Sequence, residues 1–179
     1  ACVRETKVGR ILCHWQADSI RQSPWRFTGD IIRADKSFGE SLVEWKGQEF
    51  IQSPFIVEEK DTFWMLYGGY DSGLDADGNP VNPASDYNTA EKQLCLMKSP
   101  DGLNWKRYTN ENGYSRVFLG PGAARDPCLI KIQSTWYCYY CGHHNRDRTC
   151  GAIYVRTSKD LANWSDWEIA HYDKAHEGH

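Results

Sequence analysis

A short motif occurs twice in this chain, and its second copy begins at residue 125, 73 positions after the first at residue 52. The two copies read QSPFIV and RDPCLI. Each is followed by an aromatic run typical of a β-strand, TFWMLYG at 62–68 and TWYCYYC at 135–141. Each unit then reaches a turn that carries a tryptophan, SPDGLNW at 99–105 and SKDLANW at 158–164. A repeat built of strands and turns limits the chain to folds in which similar sheets pack beside one another.

The aromatic strand of the first repeat has apolar side chains on both of its faces. Successive side chains of a strand alternate, so Phe63, Met65 and Tyr67 point one way. Trp64 and Leu66 point the other way. Apolar residues on both faces predict a sheet that is covered on both sides. Because no long segment keeps a 3.6-residue period with caps, we predict an all-β protein of stacked antiparallel blades, a β-propeller.

The repeat predicts about two and a half blades within a single domain, residues 1–179. Residues 48–109 and 115–172 form one blade each, and residues 9–35 match the outer two strands of another. The tryptophans that recur in the turns, Trp25, Trp105 and Trp164, are expected to be structural. The tryptophans of the inner strands, Trp64 and Trp136, are expected to lie in the blade core.

The strand openings at 52–55 and 125–127, with the turns that end in Asn104-Trp105 and Asn163-Trp164, resemble those of five-bladed β-propeller glycoside hydrolases. This is the clan of families 43 and 32. The resemblance covers most of the chain from residue 48 onward, and residues 9–34 more loosely. It implies about half of a five-bladed propeller that acts on oligo- or polysaccharides with arabinose, xylose, fructose or galactose units. We expect no cofactor and no metal.

The resemblance places Asp126 in the sugar site as a catalytic residue. In those enzymes an acidic residue just before a proline projects from the start of an inner strand into the central funnel. A buried carboxylate there stabilises an oxocarbenium-like transition state, or raises the pKa of a neighbouring acid. Arg125 is expected to keep Asp126 ionised or to bind substrate oxygens itself.

The other opening departs from the family pattern. Where the family often has the general-acid glutamate this chain has Gln52, and an amide cannot donate a proton as a carboxylic acid does. Glu49 is the nearby substitute, and the blade that normally supplies the nucleophile or base is not evident. We expect Gln52→Glu to raise hydrolysis if only the acid is missing. A non-catalytic carbohydrate-binding propeller and a structural interaction module are the alternatives to an enzyme.

Other substrate-binding candidates lie where each second strand returns towards the strand openings. The pair His143 and His144 could contact sugar hydroxyls, serve as a proton donor near neutral pH, or bond only to backbone and water. The full candidate set for substrate binding is Arg125, Gln52, Ser53, Tyr70, Asp71, His143 and His144.

Composition argues against several kinds of partner. The net charge is −3 and the charges are scattered, so we expect no nucleic-acid partner. No apolar run has the length of a membrane-spanning helix, and we expect no membrane partner. Two and a half blades leave sheet faces open. The chain is therefore a fragment of a longer enzyme, a processed two-chain protein or, as we favour, a homo-oligomer that completes the propeller.

Neither the cysteines nor the acidic loop predicts a metal site. Cys138 and Cys141 have a metal-like spacing, but residues three apart on a strand point to opposite faces. The stretch 75–79 (DADGN) lacks the spacing of a calcium loop, which favours a solvated loop or site rim. Seven cysteines weakly favour a reducing, cytoplasmic compartment. The chain start shows no signal peptide, which leaves export open.

Overall fold

The structure, a computed structural model, describes residues 2–6, 9–21, 24–40, 49–70, 92–120, 124–143 and 151–172. These residues contain twelve strands and a short 3-10 turn at Lys36–Phe38. The strands are β1 Cys2–Thr6, β2 Gly9–Gln16, β3 Arg26–Ile32, β4 Glu49–Glu59, β5 Thr62–Tyr70, β6 Lys92–Ser99, β7 Lys106–Arg107, β8 Arg116–Leu119, β9 Arg125–Ile132, β10 Thr135–His143, β11 Gly151–Ser158 and β12 Glu168–Tyr172. None of the described residues belongs to a helix that is long and apolar enough to cross a membrane.

The strands form an N-terminal sheet and two blades. In the N-terminal sheet, β2 pairs antiparallel with β1 and β3. The first blade is β4–β5–β6, and β7 and β8 pair with successive parts of the free edge of β6. The second blade is β9–β10–β11–β12. Two details differ from the sequence analysis: β8, counted there with the second blade, extends the sheet of the first, and β2 pairs in parallel with β4.

Strand β5 is covered on both faces, as its alternation predicts. Met65 and Tyr67 lie in a core shared with Leu12 and Ile32 of the N-terminal sheet. Leu66 lies in a second core, which the first blade shares with the second. The members of that second core from the second blade include Leu129, Trp136, Cys138, Tyr140 and Tyr154. Both faces of the first blade are thus buried by neighbouring sheets, and this burial stabilises the fold by roughly 25 cal/mol per Å² of apolar surface.

The two tryptophan turns have the same hydrogen bonds. In the first, the Asp101 carboxylate accepts bonds from the N–H groups of Leu103 and Asn104, and Trp105 donates its indole N–H to the Gly102 carbonyl at 2.9 Å. The second repeats every bond through Asp160, Ala162, Asn163, Trp164 and Leu161. Leu161 has φ 67° where Gly102 has φ 73°. The turn conformation therefore repeats even where the residue does not.

The segment 36–40, which lies between the predicted half blade 9–35 and the predicted blade 48–109, holds a buried carboxylate. Glu40 is 1 % exposed. It accepts hydrogen bonds from Tyr67 Oη at 2.5 Å and Ser115 Oγ at 2.8 Å, and forms a two-pronged ion pair with Arg107 at 3.0 and 2.8 Å. The Asp35 N–H donates to it as well, at 3.0 Å. Both oxygens of the buried Glu40 carboxylate thus accept hydrogen bonds from protein donors in place of water. These bonds hold residues 36–40 against the first blade.

We expect Glu40→Gln to lower the free energy of unfolding by about 3–5 kcal/mol, because Arg107 would remain buried without its counter-charge. Urea denaturation followed by tryptophan fluorescence measures this loss. The matched control is Glu58→Gln on β4, where the side chain is exposed. An equal, small loss in both variants would contradict the anchoring role of Glu40.

The tryptophan turns predict a loss of stability in acid. Bonds from the Asn104 backbone and side-chain amides hold the pKa of Asp101 well below its usual range. Partial burial acts to raise the pKa of Asp160, but the bonds from Asn163 outweigh it and the pKa is lowered. Carboxylates with depressed pKa values stabilise the fold above their unfolded pKa, near 3.8, and lose this effect as the pH falls through the folded value.

The urea midpoint of the wild type should therefore fall as the pH drops from about 5 to 2, and that of Asp160→Asn should fall less. Asp166→Asn, at an exposed position close by, serves as the control and should follow the wild type. Parallel curves for all three proteins would show that the turn carboxylate contributes nothing to acid stability.

Candidate functional site

The candidate site lies where β4 and β9, the first strands of the two blades, begin side by side. Each strand starts with a bulge: the register of β4 against β5 shifts between Gln52 and Phe55, and the pairing of β9 with β10 shifts between Tyr139 and Cys141. Ser53 and Asp126, at equivalent positions of the repeat, have φ values of 54° and 55°. A non-glycine residue in this left-handed region costs on the order of 1–3 kcal/mol, and such residues cluster at functional sites.

The two bulged residues meet across the gap between the blades. Ser53 Oγ donates a hydrogen bond to Asp126 Oδ1. Arg125 Nε lies 3.4 Å from Asp126 Oδ2. The contact joins the two sheets at their first residues, while Lys131 Nζ and the Glu59 carboxylate join them at the other end of the same strands at 2.6 Å. The repeat spacing and the stacking of the blades together place Ser53 and Asp126 beside each other.

Asp126 is not the buried carboxylate that the sequence analysis expected. Its side chain is 52 % exposed, and that of Arg125 is 45 % exposed. Solvent screens the ion pair between them, which limits its value to about 0–1 kcal/mol. The carboxylate is therefore accessible to a ligand from solvent, and its lone pairs can accept hydrogen bonds from hydroxyl groups.

Gln52 has a partner that the sequence analysis missed. Arg10 Nη1 donates a hydrogen bond to Gln52 Oε1 at 3.0 Å. The parallel pairing of Gly9 with Glu49 and of Arg10 with Phe50 brings β2 to this place. A guanidinium beside position 52 favours a neutral or negative side chain there, and it would lower the pKa of a carboxylic acid at that position. No local pattern around Arg10 reveals this contact, because it depends on a pairing between distant segments.

The remaining predicted site residues are placed only in part. The backbone of Tyr70 ends β5 next to the start of β4, since Gly69 pairs with Ile51. The backbone of His143 ends β10 next to the start of β9, since Cys141 pairs with Arg125. The structure describes the backbone but not the side chains of Glu49, Tyr70 and His143, and Asp71 and His144 lie outside the described residues.

The described side chains of the site are two guanidinium groups, one carboxylate, one amide and one hydroxyl. In the described part of the chain, no three His, Cys, Asp or Glu side chains lie close enough together to hold a metal ion. The group can bind a neutral, hydroxyl-rich ligand through both donors and acceptors. It contains one carboxylate, and none of its described members is a second carboxylate across the gap from Asp126.

No protein-family model and no curated protein matches this chain. Solved structures do. A levansucrase from Bacillus subtilis is 11 % identical with a TM-score of 0.62, over 94 % of this chain and 48 % of that one. A protein described as a glycoside hydrolase is 21 % identical with a TM-score of 0.56, over 83 % of this chain and 39 % of that one.

A family 32 β-fructofuranosidase from Bombyx mori is 22 % identical with a TM-score of 0.50, over 68 % of this chain and 23 % of that one. This chain thus spans less than half of each of these structures. At such identities the likeness concerns the fold alone. It confirms the predicted fold, a partial β-propeller of the kind found in glycoside hydrolases.

The strained backbone at Ser53 gives a direct test of the site geometry. Ser53→Ala removes the hydrogen bond to Asp126 but keeps a Cβ in the left-handed region, whereas Ser53→Gly removes the bond and also the strain. We expect the glycine variant to be more stable than the alanine variant by roughly 1 kcal/mol in urea denaturation. On a regular strand the order would be the reverse, since glycine weakens strand interiors.

Proposed function

We propose that the strand openings of β4 and β9 bind a carbohydrate and that Asp126 is the carboxylate of this site that serves glycoside hydrolysis. The observation that supports this most is the contact between Asp126 and Ser53, two strained residues at equivalent positions that meet at the mouth of two blades. Strain of this kind persists where function or tight packing requires it, and Asp126 is too exposed for packing to require it.

The chemistry proposed for Asp126 follows from its surroundings. Ser53 occupies Oδ1 and Arg125 lies near Oδ2, so the carboxylate is held in one orientation. In that orientation it can accept bonds from sugar hydroxyls and stabilise positive charge that develops at the anomeric carbon. Arg125 adds guanidinium donors for the ring or hydroxyl oxygens. The substrate proposed is an oligo- or polysaccharide with arabinose, xylose, fructose or galactose units. The name of one of the similar structures, the β-fructofuranosidase, refers to a fructose unit.

Hydrolysis also needs an acid that protonates the leaving oxygen. Gln52 cannot supply the proton, and Arg10 is bonded to it. Glu49 remains the proposed substitute. The bond between Arg10 and Gln52 also supports a second candidate function, a propeller that binds carbohydrate without cleaving it. A neutral amide matched to a guanidinium is suited to binding hydroxyl groups rather than to proton transfer.

We expect Asp126→Asn to lower kcat/KM by about 100-fold or more on any glycan that the wild type hydrolyses, because the amide carries no charge to stabilise the transition state. Release of reducing ends from arabinan, xylan, fructan and galactan oligosaccharides measures the activity. Asp166→Asn is the control, because Asp166 is also an exposed carboxylate but lies in the connection between β11 and β12. Full activity in Asp126→Asn would remove this residue from the mechanism. Binding without hydrolysis by the wild type would favour the second candidate.

Arg10 affects the protonation of a carboxylic acid introduced at position 52. We expect Gln52→Glu alone to give little gain in hydrolysis, because the ion pair with Arg10 would keep the new carboxyl ionised at neutral pH. The double variant Arg10→Met/Gln52→Glu should exceed it. Glu49→Gln tests the substitute acid and should abolish activity in the wild-type background. A gain in the single variant equal to that in the double would show that Arg10 has no such effect.

A further inference from the structure

The second blade contains a buried arginine that is separate from the side chains of the candidate site. Arg156, on β11, is 9 % exposed. Its guanidinium donates hydrogen bonds to the Leu119 and Gly120 carbonyls at 3.0 and 2.9 Å. It also donates to the Ser165 carbonyl at 2.7 Å and to Tyr140 Oη at 3.2 Å. These four acceptors are neutral oxygen atoms, and they belong to three different segments of the chain.

Apolar packing does not explain a positive charge at this position. Burying a charge is costly, and an apolar side chain of similar size often stabilises a fold as well or better. Counting back two residues from the starts of the tryptophan turns, Ser99 and Ser158, shows that the first blade has Met97 where the second has Arg156. Met97 is fully buried. The directed hydrogen bonds of Arg156, rather than the volume of its side chain, therefore distinguish this position in the second blade.

Tyr140 connects Arg156 to the bulge that contains Asp126. The pairing of β10 with β9 is interrupted at Tyr140, which therefore lies opposite the bulged residues Asp126 and Pro127. Tyr140 is 1 % exposed, so its hydroxyl needs a hydrogen-bond partner inside the protein. The bond from Arg156 thus fixes the side chain of the residue that faces the bulge.

The other bonds of Arg156 hold the chain that enters β9. Leu119 is the last residue of β8, in the sheet of the first blade, and Gly120 follows it. Arg125, the first residue of β9, is five positions after Gly120. A guanidinium presents its donors in a rigid fork, so its bonds to two successive carbonyls limit both the place and the direction of this connection. Arg156 therefore contacts both the chain before the bulge and the strand beside it.

The first blade has the same arrangement, built from different residues. Tyr67, which is 73 positions before Tyr140, lies opposite the bulge that contains Ser53. Its hydroxyl donates to the carboxylate of Glu40, which is paired with Arg107. In both blades, a buried tyrosine that faces the bulge is thus held by a buried ionic group, and that group also fixes the chain that enters the blade. The repetition indicates a requirement of the strand openings rather than of one core.

We propose that Arg156 is a positioning residue of the candidate site, which keeps Asp126 in the strained conformation where it meets Ser53. Because Arg156 is buried, it acts through Tyr140 and the chain that enters β9 rather than by contact with a ligand. Its role in holding Asp126 stands without the proposed function, whereas its effect on hydrolysis rests on that function.

Hydrogen exchange of the intact chain, followed by mass spectrometry, tests the positioning without any ligand. Arg156→Met introduces the residue of the first blade and removes the four hydrogen bonds. Exchange in peptides that cover residues 119–128 should become at least about 10-fold faster, and exchange in peptides from β5 should change by less than about 3-fold. Unchanged exchange at 119–128, or an equal acceleration in both blades, would overturn the proposal, because the second result is that of a residue that only stabilises the fold.

Tyr140→Phe is the second variant if Arg156→Met does not fold, as checked by circular dichroism. It removes only the hydroxyl that Arg156 binds, and it should speed exchange at residues 125–128 by about 3-fold or more. Tyr67→Phe is the matched control, because the same change in the first blade removes the equivalent hydroxyl and should act at residues 51–55 instead. No effect of Tyr140→Phe, or an equal effect of both variants at residues 125–128, would contradict the proposal.

The effect on hydrolysis is measured on any glycan that the wild type cleaves. Arg156→Met should lower kcat by at least about 10-fold with little change in KM, at a temperature where the variant remains folded. An unchanged kcat in Arg156→Met, together with a loss of activity in Asp126→Asn, would show that Arg156 does not position the carboxylate for catalysis. A wild type that cleaves no glycan would contradict the proposed function alone, and the exchange data would then decide the role of Arg156.

Discussion

Alternate side chains of β5 point into two different cores, so this strand needs a sheet on each side of it. Met65 and Tyr67 enter the core shared with the N-terminal sheet, and Leu66 enters the core shared with the second blade. Because β5 is buried on both faces, the distance between any two of the three sheets depends on how the third one packs. The anchor at Glu40 then adds direction, because its bonds to Tyr67, Arg107 and Ser115 have a defined geometry that apolar packing lacks.

The candidate site is a product of that stacking. Ser53 and Asp126 belong to different blades, and they meet because β4 and β9 run side by side from one end to the other. Arg10 reaches Gln52 for a related reason, since the parallel pairing of β2 with β4 attaches the N-terminal sheet at the same end of the first blade. Three sheets thus contribute charged or polar groups to a small area, one from the N-terminal sheet and two from each blade, and no single sheet contains the site.

Local patterns in the sequence were sufficient to predict the parts of the fold that repeat. The alternation in β5, the turns at Asp101 and Asp160 and the buried Trp136 all follow from nearby residues. The contact between Ser53 and Asp126 was also within reach, because its separation of 73 residues equals the spacing of the repeat. The side-chain partners of Glu40 lie 27, 67 and 75 residues away, and Arg10 lies 42 residues from Gln52. Such separations leave no periodic trace, so these contacts and the solvent exposure of Asp126 required coordinates.

The position of Ser53 and Asp126 in separate sheets makes their hydrogen bond an indicator of the angle between the blades. A change in the size of a residue in the core between the blades, such as Leu129, three positions after Asp126 on β9, would tilt one blade against the other and open or close this bond. Substitutions in the core between the blades can therefore change which ligand the site prefers. Homologous chains could differ in what they bind while all five polar residues at the mouth stay the same.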